Sequence, residues 1–458
     1  MSIDSAIGRL SEKLGRQVST SMAIRMEHGQ NESYFRVTPP DAVVRPKSTE
    51  DVARVVRICA DEGCPVIARG VGTSLEGHAL AIRGGISLDM AGMDTVLGIN
   101  PDDMDVIVQP GVTREQLNTE LRATGLFFPI DPGANATLGG MASTRASGTT
   151  AVRYGTMKDN VLALEVVMGD GRIIRTGNRA RKSSAGYDLT ALFVGSEGTL
   201  GIITELTLKL HGQPESISSA VCAFDDVDSC VRTVIATIQL GVPIARIELA
   251  DTAMVRALNA WDRDMDLPEK PHLFMEFHGT PGAIAEQEAT VADLVSSFGG
   301  SAFEWATTAE DRSALWRARH NAYFAAKAMR PGCRVVTTDV CVPISRLAEA
   351  ISETAAEIEA SPIDGPIVGH VGDGNFHAAL LIDPESQDEL AVAKELAGKM
   401  NHRALRLGGT ITGEHGIGVG KIPFMAEEHG DAWAIMADLK RAIDPGDVMN
   451  PGKIVKIN

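Results

Sequence analysis

Two histidines on either side of an Asp-Gly pair constrain this chain more than any other feature. The stretch reads Gly369-His370-Val371-Gly372-Asp373-Gly374-Asn375-Phe376-His377, with Ile367 and Val368 before it and Ala378 to Ile382 after. Asp-Gly between apolar flanks is a strong signal for a two-residue hairpin turn, because that turn needs positive φ at both central positions. With Asp373 and Gly374 as the turn, Gly372 faces Asn375, Val371 faces Phe376 and His370 faces His377. Directly opposed side chains carry Cβ atoms ~5 Å apart, so two imidazoles there can share one metal ion. A second run, Thr412-Gly413-Glu414-His415-Gly416-Ile417-Gly418, offers Glu414 as a third ligand. Two nitrogens and one oxygen, with room for substrate, is the pattern of a catalytic rather than a structural site.

The 458 residues suffice for two or three domains and a large core. A formal net charge of -17 argues against a nucleic-acid partner and against adhesion to anionic lipid. No run of 18 apolar residues exists, so no transmembrane segment is expected. Met1 to Gly15 is mixed and polar, without the apolar region of a signal peptide. The six cysteines form no Cys-x-x-Cys pair, which disfavours thiolate zinc, iron–sulfur and disulfide frameworks and fits a reducing cytoplasm.

Along the chain, Ser48-Thr49-Glu50-Asp51 predicts a helix start, with Val52, Val55, Val56 and Cys59 at helical spacing. A strand over Pro65 to Ala68 leads into a glycine-rich loop, Arg69-Gly70-Val71-Gly72-Thr73-Ser74. Such a loop can turn successive backbone N–H groups toward a phosphate. Its spacing is neither the dinucleotide fingerprint nor a P-loop. A second small-residue stretch runs from Asp131 through Gly140 to Gly155, and Gly195-Ser196-Glu197-Gly198-Thr199-Leu200-Gly201 precedes a strand over Ile202 to Leu210. From about residue 215, strands alternate with amphipathic helices, which predicts an α+β domain on an antiparallel sheet. Ala309 to Met329 reads as one helix, Arg334 to Val342 as one strand.

These motifs, in this order and with Asn450-Pro451-Gly452-Lys453 near the end, resemble the FAD-linked dehydrogenases of the vanillyl-alcohol oxidase / p-cresol methylhydroxylase superfamily. Within it the chain is similar to the D-lactate dehydrogenase (cytochrome) family, with the glycolate oxidase flavin subunit and D-2-hydroxyglutarate dehydrogenase as relatives. The runs Trp316-Arg317-Ala318-Arg319-His320-Asn321-Ala322 and Thr338-Asp339-Val340-Cys341-Val342-Pro343, together with Cys333, point to the D-lactate branch. The resemblance spans about residue 35 to the end. It implies an α+β fold: a two-subdomain FAD-binding domain over 1–213, a substrate (cap) domain with an antiparallel sheet and the metal site over 214–420, and a segment over 421–458 that returns to the FAD domain. It implies that Arg69, Gly70, Val71, Gly72, Thr73 and Ser74 contact the FAD pyrophosphate. Pro132, Gly133, Thr137, Gly139, Gly140, Ser143 and Gly148 would line the rest of the cofactor. Gly198 and Ile203 would lie near the adenine or ribose, and Asn450 near the isoalloxazine. His78 stands where relatives usually have glycine; the expectation remains non-covalent FAD. The resemblance further implies a divalent metal, zinc or manganese, on His370, His377 and Glu414, with His415 as base.

The chemistry expected is oxidation of a D-2-hydroxy acid to the 2-oxo acid, D-lactate first, with D-2-hydroxyglutarate and glycolate as alternatives. His415 has the side chain whose basicity suits proton abstraction near neutral pH. Arg319 is the candidate clamp for the substrate carboxylate, since a guanidinium meets a carboxylate through two parallel hydrogen bonds. The expected acceptor of electrons is a cytochrome, a quinone or an electron-transfer flavoprotein. The chain is expected in the cytoplasm, peripheral to the inner membrane through that acceptor, with a homodimer as a candidate assembly. One rival is a metal-dependent hydrolase using His370, His377 and Glu414 to activate water, which leaves the glycine loops unused. Another is a non-catalytic binding module, which leaves the Glu414-His415 pair unused.

Overall fold

The computed structural model describes residues 2–262, 265–306 and 308–457. The chain divides into two compact units: Met1–Ser147, Gly155–Gln213 and Glu414–Asn458 form the first, Gly148–Tyr154 and Pro214–Gly413 the second.

The first unit begins with a helix that its polar composition had concealed. Helix α1 (Ile3–Leu14) starts at Ser2, whose side chain accepts a hydrogen bond from the Ser5 N–H. Ala6, Leu10 and Leu14, spaced by four, make one buried stripe. Burying a leucine contributes about 1.5–3 kcal/mol, enough to hold a helix that is polar elsewhere. Helix α2 (Thr49–Glu62) follows its expected pattern, with Ser48 as cap, Val52, Val55, Val56 and Cys59 buried, and Gly63 at φ 63 closing it. These helices share a core with a four-stranded sheet in the order β1-β2-β4-β3, where β1 is Val18–Ser19, β2 Ala42–Val44, β3 Val66–Arg69 and β4 Ile86–Asp89. Both β2 and β3 run parallel to β4. A second, antiparallel sheet has the order β5-β6-β9-β7-β8: β5 is Val96–Asn100, β6 Asp105–Val108, β7 Val161–Val167, β8 Ile173–Arg175 and β9 Ile202–Lys209. Val106, Val108, Leu164, Val166, Leu206 and Leu208 fill its core at alternate positions, while Val167 and Ile202 on the opposite face are buried in the core that helix α2 shares.

The second unit is built on an eight-stranded antiparallel sheet. Its strands are β10 (Ser216–Ala223), β11 (Ile244–Ala250), β12 (His272–Gly279), β13 (Glu304–Ala306), β14 (Arg334–Thr337), β15 (Val340–Cys341), β16 (Ile367–His370) and β17 (Asn375–Ile382). The order is β13-β10-β12-β11-β16-β17-β14, and β15 pairs with β17 off that path. The strand expected over 334–342 is thus two. The helix expected over 309–329 breaks at Asn321 into α3 (Ala309–His320) and α4 (Ala322–Met329). Trp316 and three alanines of these helices, Ala322, Ala325 and Ala326, pack on Val221, Ala250, Phe274 and Leu381 of the sheet.

The hairpin register differs from the expectation. Ile367 pairs with Ala378, Val368 with His377, Gly369 with Phe376 and His370 with Asn375. His370 therefore does not face His377, and the turn spans the four residues 371–374. Gly374 has φ 81, but Asp373 is not in the positive-φ region, so the two-residue turn with both centres left-handed does not form. The Asp373 N–H instead donates to His370 O at 3.0 Å, and Val342 O packs where a Gly374 side chain would be.

Candidate active site

The shift in register is two residues, and side chains alternate faces with a period of two. His370 and His377 therefore still share one face, now as diagonal neighbours with ring centroids 5.4 Å apart. Each ring is oriented through Nδ1. His377 Nδ1 lies 2.9 Å from Thr338 O, and a carbonyl only accepts, so Nδ1 carries the hydrogen. His370 Nδ1 lies 2.9 Å from both oxygens of the Glu248 carboxylate and likewise donates. In each neutral ring the lone pair then belongs to Nε2. Two imidazoles fixed in this tautomer are a donor set for a transition metal, with the partners behind them that such ligands normally have.

Glu248 has a second partner. Arg319 of α3 is buried and donates from Nη2 to Glu248 Oε2 at 2.5 Å, while its Nε is buried with no acceptor among the described residues. One carboxylate thus connects a candidate metal ligand to the candidate carboxylate clamp. Asp339, fully buried, accepts hydrogen bonds from Asn375 Nδ2 at 2.7 Å and Thr412 Oγ1 at 2.6 Å. Its Oδ1 lies 3.6 Å from His377 Nδ1. Asn375 in turn packs where a side chain on Gly413 would have to go. The second unit ends at Gly413, and Glu414 and His415 are the next two residues of the chain.

Sequence reasoning missed Glu248, and a signal existed: Arg246 and Glu248 are two charges at i and i+2 in an otherwise apolar strand. Such charges on a buried face need partners. Arg246 has Glu276, at 3.1 Å, and Glu276 also pairs with His278, which is 2.7 Å from the hydroxyl side of Tyr154. This polar row crosses the same face of the sheet as Glu248 and His370.

In the first unit the residues after His415 are held tightly. Gly416 has φ 83 and Gly418 φ 47. The Ile417 and Gly418 N–H groups donate to the Glu197 carboxylate at 2.7 and 2.9 Å, and the Val419 N–H donates to Glu76 O at 2.8 Å. His78, also buried, lies 3.3 Å from Glu197 Oε1. Burial alone pushes the His78 imidazole down, but the Glu197 carboxylate outweighs it and holds it above its ordinary value. Burial likewise pushes the Glu197 carboxyl up, and His78 with the two backbone N–H groups brings it below its ordinary value. Asn450 Nδ2 donates to both His78 O and Glu197 O, at 3.0 and 2.7 Å.

The glycine loops of this unit meet each other. A side chain on Gly70 would run into Thr137 Oγ1, and one on Gly139 into Pro110. Gly72, at φ 80, leaves room for the Arg69 guanidinium folded back over it. Nothing lies within 4 Å of the side-chain positions of Gly133 and Gly198. Ser143 donates to Gly139 O at 2.7 Å, and Ser143 O accepts from the Glu197 N–H at 2.8 Å. Among the described residues no acceptor takes the N–H groups of Val71, Gly72, Thr73 or Ser74, and Arg69 Nε and His78 Nδ1 are buried without partners. Donors without a protein acceptor, next to glycine backbone that packs closely on its neighbours, fit an anionic cofactor such as FAD. Ile203 faces the core of β9, so only its backbone can meet a ligand. Pro132 lies in the loop beside Gly133, and Gly148 opens the short segment that belongs to the second unit.

Residues 40–177 match the model of an FAD binding domain, and residues 213–454 match that of FAD linked oxidases, C-terminal domain. The chain is 50% identical to a probable mitochondrial D-lactate dehydrogenase of Danio rerio, covering 96% of this chain and 89% of that protein. It is 44% identical to the mitochondrial D-lactate dehydrogenase [cytochrome] of Arabidopsis thaliana, covering 98% and 80% respectively. Its fold is similar to that of p-cresol methylhydroxylase, with a TM-score of 0.81 at 18% identity over 98% of this chain and 96% of that one. No helix among the described residues is long and apolar enough to cross a membrane.

Proposed function

Because this chain belongs to the FAD-linked D-lactate dehydrogenase (cytochrome) family, we propose that it oxidises D-lactate to the 2-oxo acid with non-covalently bound FAD and a divalent cation, zinc or manganese. The observation that carries the reading is the Arg319–Glu248–His370 chain, which ties a buried guanidinium with a spare Nε–H to an imidazole oriented for a metal. Bound FAD supplies the two-electron acceptor for the C2 hydride. The cation supplies Lewis acidity beside the substrate hydroxyl.

The chain's own residues do the rest. His370, His377 and Glu414 are the residues that would hold the cation; Gly413, seated on Asn375, is the residue that leads into Glu414. Arg319 binds the substrate carboxylate through Nε–H and the remaining Nη donors, while Glu248 fixes the plane of the guanidinium. His415 takes the proton of the C2 hydroxyl. Arg69 to Ser74 hold the pyrophosphate, and Pro132, Gly133, Thr137, Gly139, Gly140, Ser143, Gly148, Gly198, Ile203 and Asn450 surround the rest of the cofactor. Electrons leave to a cytochrome, which the name of the Arabidopsis thaliana relative favours over a quinone or a flavoprotein.

The test is anaerobic bleaching of the flavin by a panel of D- and L-2-hydroxy acids. D-lactate should bleach it and L-lactate should not. A protein that binds no FAD, or a flavin that no D-2-hydroxy acid reduces, would overturn the reading.

A further inference from the structure

Glu197 occupies a conformation that a residue with a Cβ adopts only where its surroundings impose it: φ is 54. The surroundings here are specific. Its N–H donates to Ser143 O at 2.8 Å, and its carbonyl accepts from Asn450 Nδ2 at 2.7 Å. Asn450 is itself fixed, since Lys453 Nζ donates to its Oδ1 at 2.9 Å and to Leu80 O at 2.8 Å. The constraint aims a buried carboxylate at one target, the backbone of the turn after His415.

Both oxygens are used there. One accepts from the Ile417 N–H at 2.7 Å and the other from the Gly418 N–H at 2.9 Å. A buried carboxylate left without a counter-charge would be costly, and His78 at 3.3 Å supplies it. Gly416 is required at this point: a Cβ would come within 2.7 Å of both Glu197 Oε1 and His78 Nε2. The turn is thus gripped from Gly416 through Val419, and His415 is the residue immediately before the grip.

From this geometry we infer that Glu197 is a positioning residue for His415: it fixes the 416–418 backbone and so sets where the imidazole stands. The inference rests on the reading of His415 as the base. Nothing in it needs Glu197 to touch substrate or flavin. A catalytic group displaced by 1 Å can lose ~10²-fold in rate, so a backbone anchor three residues away has leverage.

Two measurements on FAD-loaded enzyme test it, with Glu197→Gln as the variant. Glutamine keeps one acceptor oxygen and presents an NH2 group to the other N–H, so one of the two anchors is lost. First, hydrogen exchange of the peptide containing Ile417 and Gly418 should quicken about tenfold or more in the variant. Unchanged protection would overturn the inference. Second, stopped-flow flavin reduction by D-lactate should slow ~10-fold or more in Glu197→Gln, yet show no further slowing when Glu197→Gln is added to His415→Asn. Slowing by the same factor in both backgrounds would mean that Glu197 does not act through His415. A His415→Asn enzyme as fast as wild type removes the base reading and the catalytic half of the inference, while exchange still decides whether Glu197 holds the turn. If Glu197→Gln does not retain FAD, Glu197→Asp, which keeps the charge but withdraws it by one methylene, must give the same two results.

Discussion

Glu248 accepts a hydrogen bond from Nδ1 of His370 at 2.9 Å while holding Arg319 with the same carboxylate. Two side chains with different proposed duties, cation binding and carboxylate recognition, therefore share one anchor. Replacing Glu248 with glutamine should weaken cation affinity by about 10–100-fold, the usual effect of losing the partner behind a histidine ligand. Chelator titration followed by elemental analysis reads this directly, and FAD content should stay at wild-type level. Undiminished cation affinity would exclude Glu248 as the residue that orients His370.

Arg319 should be needed for recognition of the acid rather than for folding around FAD. Arg319→Ala should lose roughly one to two decades in kcat/KM for D-lactate, matching the loss of a charge-assisted contact worth about 1.5–3 kcal/mol. Arg319→Lys should also be impaired, because a point charge does not replace the planar fork. Stopped-flow reduction with D- and L-lactate gives both the magnitude and the handedness. An alanine variant as efficient as wild type, or equal rates for the two enantiomers, would refute the placement.

The contact between the glycine loops makes a paired prediction. Gly70→Ala pushes a methyl group into Thr137 Oγ1 and should lower FAD affinity. Adding Thr137→Ala removes the obstacle and should restore part of that affinity. Fluorescence quenching of FAD on titration with apoprotein measures both. Equal affinity in Gly70→Ala and wild type would show that the loop can yield there without cost.

The His78–Glu197 pair sets a pH dependence of stability. His78 has a raised folded value, so its contribution is whole below the ordinary histidine range and is lost as pH rises through the raised value. Glu197 has a lowered folded value, so its contribution is whole above the ordinary glutamate range and is lost as pH falls through the lowered value. His78→Gln should lower Tm near neutral pH, flatten the alkaline decline and also shift the acid limb, because His78 is the first of the partners that lower the Glu197 carboxyl. Thermal melts from pH 4 to 10, on the order of the range these groups span, check it. An unchanged alkaline limb would assign that decline to other groups.

What could be seen in the sequence was chiefly what depends on local chemistry. The cap at Ser48, the stripe through Val52, Val55, Val56 and Cys59, and the two glycine loops follow from residue type and spacing. Helix α1 carries a full stripe, with Ala6, Leu10 and Leu14 buried and Ile3 and Ile7 packed partly buried beside them, but the charged and polar residues between them give the segment a mixed composition that masks it. The break at Asn321 and the division at Gly413 depend on packing between distant segments, which no local pattern records. Of the proposed site, His370, His377 and Arg319 were legible as residue types. Glu248, Asp339 and Thr338 were not assigned, because their role exists only once three or more strands lie side by side.

The four-residue turn at 371–374 also bears on how this protein can change over generations or in the laboratory. Strand Asn375–Ile382 presents His377 and Asn375 on one face and Phe376 and Ala378 on the other. Losing or gaining one residue there, with the four-residue turn kept and the strand drawn through it by one position, would swap those faces. It would bury an imidazole where Phe376 now packs and lift the phenyl ring into the polar row. Losing or gaining two would only slide His377 along its own face. Length changes at this turn should therefore survive in even steps and fail in odd ones, so the spacing between the two histidines is counted by parity before it is counted by distance.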